Sequence, residues 1–167
     1  LAMFRTFRDQ TTGPFLASTD PELDPIADGA IRFGLTAAGG ETPRETGPEV
    51  VLGRDLELLP DRTRFRIDGA DFELRHPGAH NAFNAVAAVT ATIPAGATLA
   101  QCADALGGFR GVTRRFQSHG SANGIEIIDD FAHNPQKIAA ALRTAQTRAS
   151  RVLAVFQPHG FGPTRFI

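Results

Sequence analysis

Between residues 64 and 75 the chain reads RFRIDGADFELR, with Phe65, Ile67, Phe72 and Leu74 alternating with polar positions on either side of Asp68-Gly69. Period-two alternation interrupted by a glycine-containing turn predicts a β-hairpin. IRFGL (31–35) and EVVLG (49–53) have the same short strand character, so a small, partly antiparallel sheet is expected. Between those two runs, AAGGETPRETGPE is polar and rich in Gly and Pro, as a loop or hairpin tip would be. From His80 the period changes. HNAFNAVAAVTATI carries Phe83, Val86 or Ala87, and Thr90 at helical spacing, behind a break at Pro77-Gly78. A second helix is expected from the cap Thr98 through LAQCADALGG, with Gly107-Gly108 as its stop. Residues 109–116 form a connector, and a boundary near Gly111 divides residues 1–110 from residues 111–167.

Beyond that boundary come GIEIIDDFA, NPQKIAAALRTAQTRA and RVLAVFQPHG. The first and third are nearly continuous apolar runs, the pattern of strands buried on both faces. The middle one is a helix with Asn134 as N-cap and Pro135 at its first position. Strand, helix and strand of these lengths predict a βαβ unit of a parallel sheet. The fold class expected is therefore α/β: a lobe with a small mixed or antiparallel sheet plus helices, followed by a Rossmann-like βαβ piece.

Composition narrows the function classes. With 17 Lys and Arg against 18 Asp and Glu, the net charge of -1 gives no electrostatic case for nucleic acid or an anionic membrane as partner. The single Cys102 cannot form an internal disulfide or a multi-cysteine zinc site, which favours a reducing cytoplasm. No apolar run approaches the ~20 residues of a membrane span. The chain opens LAMFRTF, without an initiator methionine or signal pattern, so a fragment of a longer protein is expected. Its one lysine, Lys137, follows Gln136 rather than glycine, so there is no Gly-Lys-Ser/Thr phosphate loop.

In a βαβ unit ligands bind outside the carboxyl ends of the strands, which is where Asp129, Asp130 and His133 fall, with His159 at the end of the next run. A carboxylate there can hold a ribose hydroxyl or a magnesium-bound water, and the start of the following helix offers amides to an anion. The same residues could instead cap the turn. Asn81 and Asn84, three apart on one helix face behind His80, pair a donor with an acceptor as an adenine edge requires, or serve only as first-turn residues. Arg114 and Arg115 could clamp a phosphate, one of the two being solvated.

The order PGAHNAFNAVAA, GFRGVTRRF, NGIEIIDDFAHNP, RVLAVFQPH, covering residues 77–159, resembles the Mur ligases, ATP-dependent amide-forming enzymes of peptidoglycan precursor synthesis. The nearest branch joins L-alanine, or in recycling a murein tripeptide, to UDP-N-acetylmuramate, and FQPH points to the L-alanine-adding member. The resemblance implies that residues 1–110 end the central ATPase domain and residues 111–167 begin the C-terminal domain. It implies ATP and Mg2+ as cofactors, a UDP-muramyl precursor and an amino acid or peptide as small-molecule substrates, and an acyl phosphate attacked by an amine. Position by position, it implies that His80, Asn81 and Asn84 contact adenine, that Arg115 meets the ATP phosphates and that Asp130 holds the ribose, with Asp129 supporting it. His133 would stand at the mouth between the domains, and His159 near the acceptor substrates; with Arg115 these are the expected catalytic residues. No metal ligand is assigned. Two departures stand out. The phosphate loop is missing, which predicts that the 167-residue chain alone does not ligate. In FQPHGFGPTRF, Gly160 and Pro163 stand where the alanine-adding branch has arginines, leaving Arg165. Folylpolyglutamate and cyanophycin synthetases share the AHNP pattern, and a noncatalytic nucleotide-binding or interaction module is the alternative of a different class.

Overall fold

The computed structural model describes residues 2–37 and 49–158. The expected loop at 37–49 and His159 therefore lie largely or wholly outside the described residues. A five-stranded mixed sheet runs in the order β1 (Leu16–Ser18), β2 (Ile31–Ala37), β3 (Val50–Leu58), β4 (Thr63–Ile67), β5 (Ala70–Leu74). β1, β2 and β3 are parallel neighbours, and β3, β4 and β5 are antiparallel. The expected hairpin is β4–β5, with Phe65 opposite Phe72 in register. Asp68 and Gly69 turn it at φ 46° and 82°, the positive pair that matches the twist of a two-residue hairpin.

Two helices cover this sheet: α2 (Ala79–Thr92) and α3 (Leu99–Gly108). Ala82, Val86 and Val89 of α2 form a stripe at helical spacing, and all three are buried against Val51, Phe65 and Ile67 of the sheet. Phe65 and Phe72 stack at 5.2 Å between centroids. α3 begins with a full capping box, the Thr98 and Gln101 side chains each accepting the other's backbone N–H.

After the connector, β6 (Gln117–Ala122) and β7 (Ile125–Asp129) form an antiparallel pair turned by Asn123-Gly124, and α4 (Pro135–Gln146) follows with Asn134 Oδ1 accepting the Lys137 N–H at 2.9 Å. The α/β class and the mixed sheet agree with the sequence expectation. The second half of the expected βαβ unit differs: residues 151–158 carry no strand, and Leu153 and Val155 are 84% and 93% exposed. A strand needs a ladder partner as well as an apolar pattern, and among the described residues β7 is hydrogen-bonded only to β6. Nor is β7 buried on both faces, since Ile125 and Ile127 are 67% and 61% exposed. The helix α1 (Ala2–Gln10), the three-residue β1, the 3₁₀ turn Pro21–Ile26 and β6 carried no clear pattern. No helix among the described residues is long and apolar enough to cross a membrane.

Candidate functional site

The start of α2 is fixed by a tight backbone arrangement. Thr63 Oγ1 donates to the His76 carbonyl at 3.1 Å and accepts the Gly78 N–H at 3.0 Å, so the first residue of β4 sets where α2 begins. Gly78 has φ 113°, and a Cβ there would lie 2.7 Å from Thr144 Oγ1 and 2.8 Å from His80 Cε1. Glycine is thus what lets α4 of the second lobe approach the start of α2. A second close approach is at Gly111 in the connector, φ 91°, where a Cβ would collide with the His76 imidazole. That ring also meets Phe109 edge-on at 5.6 Å, and its Nε2 is buried without a hydrogen-bond partner.

Between these contacts opens a cavity of about 740 Å³. His80, Asn81 and Asn84 line it from α2, Arg115 from the connector, and Asp130 from the end of β7, so three separated segments meet at one space. Leu74, Ala85, Ala88, Leu106, Phe109 and Val112 give it an apolar wall. An apolar cleft with few convergent polar groups is the usual form of a small-molecule site.

The polar groups are partly committed. Asn81 Nδ2 donates to the Pro77 carbonyl at 2.9 Å, which orients its amide, while Asn84 is exposed and makes no side-chain hydrogen bond to another described residue. Asp130 Oδ2 accepts the Phe116 N–H at 2.8 Å, leaving its other oxygen for a ligand. Burial pushes the His80 imidazole below its ordinary value, partly opposed by the Asp130 carboxylate and aided by Arg143. Burial thus favours the neutral form of His80, which suits hydrogen bonding rather than holding charge.

The two adjacent arginines have different surroundings. Arg114 is bound to Asp129 at 3.1 Å and lies over the Phe131 ring at 5.0 Å, whereas Arg115 faces the cavity. Asp129 thereby has an ion-pair partner of its own. His133 does not line the cavity; its Nδ1 is 3.0 Å from the Phe131 carbonyl and its ring is exposed. His159 lies outside the described residues. No three His, Cys, Asp or Glu side chains among the described residues are grouped to hold a metal ion.

Residues 114–164 match the Mur ligase, glutamate ligase domain family. UDP-N-acetylmuramate–L-alanine ligase of Acidothermus cellulolyticus is 40% identical over 157 residues, covering 89% of this chain and 32% of the relative. Along most of its length the chain is similar to Mur ligases. The corresponding ligase of Mycolicibacterium vanbaalenii is 46% identical over 146 residues, covering 80% of this chain and 29% of that protein. Among solved structures, UDP-N-acetylmuramate-alanine ligase MurC of Thermotoga maritima superposes with a TM-score of 0.69 at 25% identity, covering 90% of this chain and 34% of that one. MurF of Acinetobacter baumannii shares the fold, with a TM-score of 0.68 at 22% identity over 87% of this chain and 32% of its own. The chain thus spans about a third of the length of the Mur ligases it matches.

Some cavity residues are brought together only by the fold. Gln136, Lys137, Ala140 and Ala141 form one face of α4 toward the cavity, and His76 and Phe109 close it from the other side. The spacing of 136, 137, 140 and 141 is a helical stripe, and that signal was available in the sequence.

Proposed function

We propose that the chain supplies the adenosine-binding side of an ATP-dependent amide-forming ligase that extends UDP-N-acetylmuramate with L-alanine or a peptide. The supporting observation is the convergence of His80, Asn81, Asn84, Arg115 and Asp130 on one cavity of about 740 Å³. On this reading Asn81 and Asn84, with neutral His80, hydrogen-bond the adenine edge, and the apolar wall takes the face of the base. Asp130 accepts from the ribose hydroxyls, held in place by the Phe116 N–H. Arg115 lies against the phosphates, where a guanidinium matches the oxygen geometry. Bound ATP would supply the phosphoryl group that activates the substrate carboxylate as an acyl phosphate, leaving ADP, and the attacking amine would displace inorganic phosphate as the amide forms. The family resemblance would assign His133 to the mouth between the domains and His159, outside the described residues, to the acceptor substrates. Magnesium, implied by the family, has no ligand set among the described residues, and no step here depends on it.

A boundary near Gly111 fits this reading, with residues 1–110 as the end of the central ATPase domain and residues 111–167 as the start of the C-terminal domain. It is supported by the family match beginning at residue 114 and by the change there from one sheet to another. The place of such a reaction is the cytoplasm, where nucleotide precursors and reduced thiols occur together. Without a Gly-Lys-Ser/Thr loop in its sequence, the 167-residue chain should bind adenosine yet release no phosphate from ATP with UDP-N-acetylmuramate and L-alanine. Calorimetric titration with adenosine, beside a phosphate-release assay, tests both halves. Failure to bind adenosine contradicts the site, and turnover contradicts the assignment of the catalytic phosphate loop to sequence outside this chain.

A further inference from the structure

Deepening the nucleotide reading above, on which it rests, we propose that Lys137 is a second anion-binding residue of the cavity, holding the oligophosphate end of the ligand together with Arg115. Arg115 and Lys137 both line the cavity, and Asp130 is the one carboxylate among the residues that line it. Neither cation enters an ion pair among the described residues, although Arg114 and Arg148 beside them are paired with Asp129 and Glu126. With Asp130 held by the Phe116 N–H, the cavity keeps an excess of positive charge toward an apolar wall. That imbalance suits a polyanion and disfavours a neutral or cationic ligand.

The backbone of α4 is not the group that answers this charge. Pro135 has no N–H, and the Lys137 N–H is taken by Asn134 Oδ1 at 2.9 Å. The helix start therefore offers few free amides, and Lys137 is the cationic residue with which α4 lines the space. Its placement follows from the helix face: Ala140 and Ala141 are small enough to leave the cavity open behind it, and Thr144 one turn on docks at Gly78 and fixes the face. Because Lys137 is exposed, its removal leaves packing intact.

The test is calorimetric titration of the 167-residue chain with inorganic tripolyphosphate, adenosine and ATP at two salt concentrations. Lys137→Ala should weaken tripolyphosphate and ATP by about tenfold, the loss of one charge-assisted contact, while adenosine binds unchanged. Lys137→Arg should retain most of the affinity, and the loss in Lys137→Ala should shrink as salt rises. Unchanged tripolyphosphate and ATP affinity in Lys137→Ala overturns the proposal, as does an equal loss for adenosine. If the wild-type chain binds adenosine but not tripolyphosphate, the adenosine site stands and Lys137 falls. If it binds tripolyphosphate through Lys137 but not adenosine, the anion site stands and the nucleotide reading falls.

Discussion

At Gly78 the backbone lies at φ 113°, and the nearest atoms to an added Cβ belong to Thr144 and His80. Gly78→Ala combines a disfavoured conformation with a clash at the seam between α2 and α4, so it should destabilise by about 2 kcal/mol. Urea unfolding of the variant against the wild type measures this. At Asp130 the expected effect has two parts, because the carboxylate both accepts the Phe116 N–H and faces the cavity. Asp130→Ala leaves that partly buried N–H without its partner, a cost of about 1–3 kcal/mol, whereas Asp130→Asn keeps an acceptor and should lose ligand affinity with little loss of stability. Comparing the two by unfolding and adenosine titration separates the roles. His80 has its pKa lowered by burial, so the unfolded chain binds the proton more readily than the folded one. Its contribution to stability is present above the ordinary histidine value of 6.5 and is lost as pH falls below it. Urea midpoints of the wild type should therefore drop between pH 7.5 and pH 5.5 by more than those of His80→Gln; equal drops would remove His80 as a source.

Elements were legible where pattern and punctuation coincided. The β4–β5 hairpin had alternation on both sides of Asp68-Gly69, and α3 had Thr98 at its start and glycines at its end. Thr98→Ala removes one arm of the capping box and should cost about 1 kcal/mol, read from the urea midpoint. β6 was harder to read because QSHGSA has almost no apolar residue to alternate, and its strand character comes from pairing with β7. The Asn123-Gly124 dipeptide is the local signal that predicts this hairpin. RVLAVFQP shows the opposite case, a strand-like apolar run that finds no ladder among the described residues. Apolar pattern specifies which face wants burial, and it does not specify the neighbour that supplies hydrogen bonds. The site was legible as residue types at strand and helix ends, while the α4 face with Lys137 needed the docking of Thr144 on Gly78 to become part of it.

At the scale of the whole molecule the two lobes differ in how well they are filled. The five-stranded sheet and α2 bury Phe65, Ile67, Phe72, Val86 and Val89 almost completely. From residue 114 to residue 158, Phe116 and Thr144 are the buried side chains, and Ile125, Ile127, Leu153 and Val155 stay exposed. Local opening costs least where few apolar contacts hold an element, so amides of β6, β7 and α4 should exchange with deuterium well before those of β4 and β5. Exchange at equal rates in both lobes would contradict that difference. Ligand binding at the seam should slow exchange in α4 most, because α4 carries one wall of the cavity. On the proposed function, the space between α2, the connector and α4 receives adenosine. The most direct measurement is a titration of the ¹⁵N-labelled chain with adenosine followed by amide chemical shifts. The account predicts saturable shifts concentrated at His80, Asn81, Asn84, Arg115 and Asp130, lost in Asn81→Ala/Asn84→Ala; no saturable shift, or shifts centred elsewhere, would contradict it.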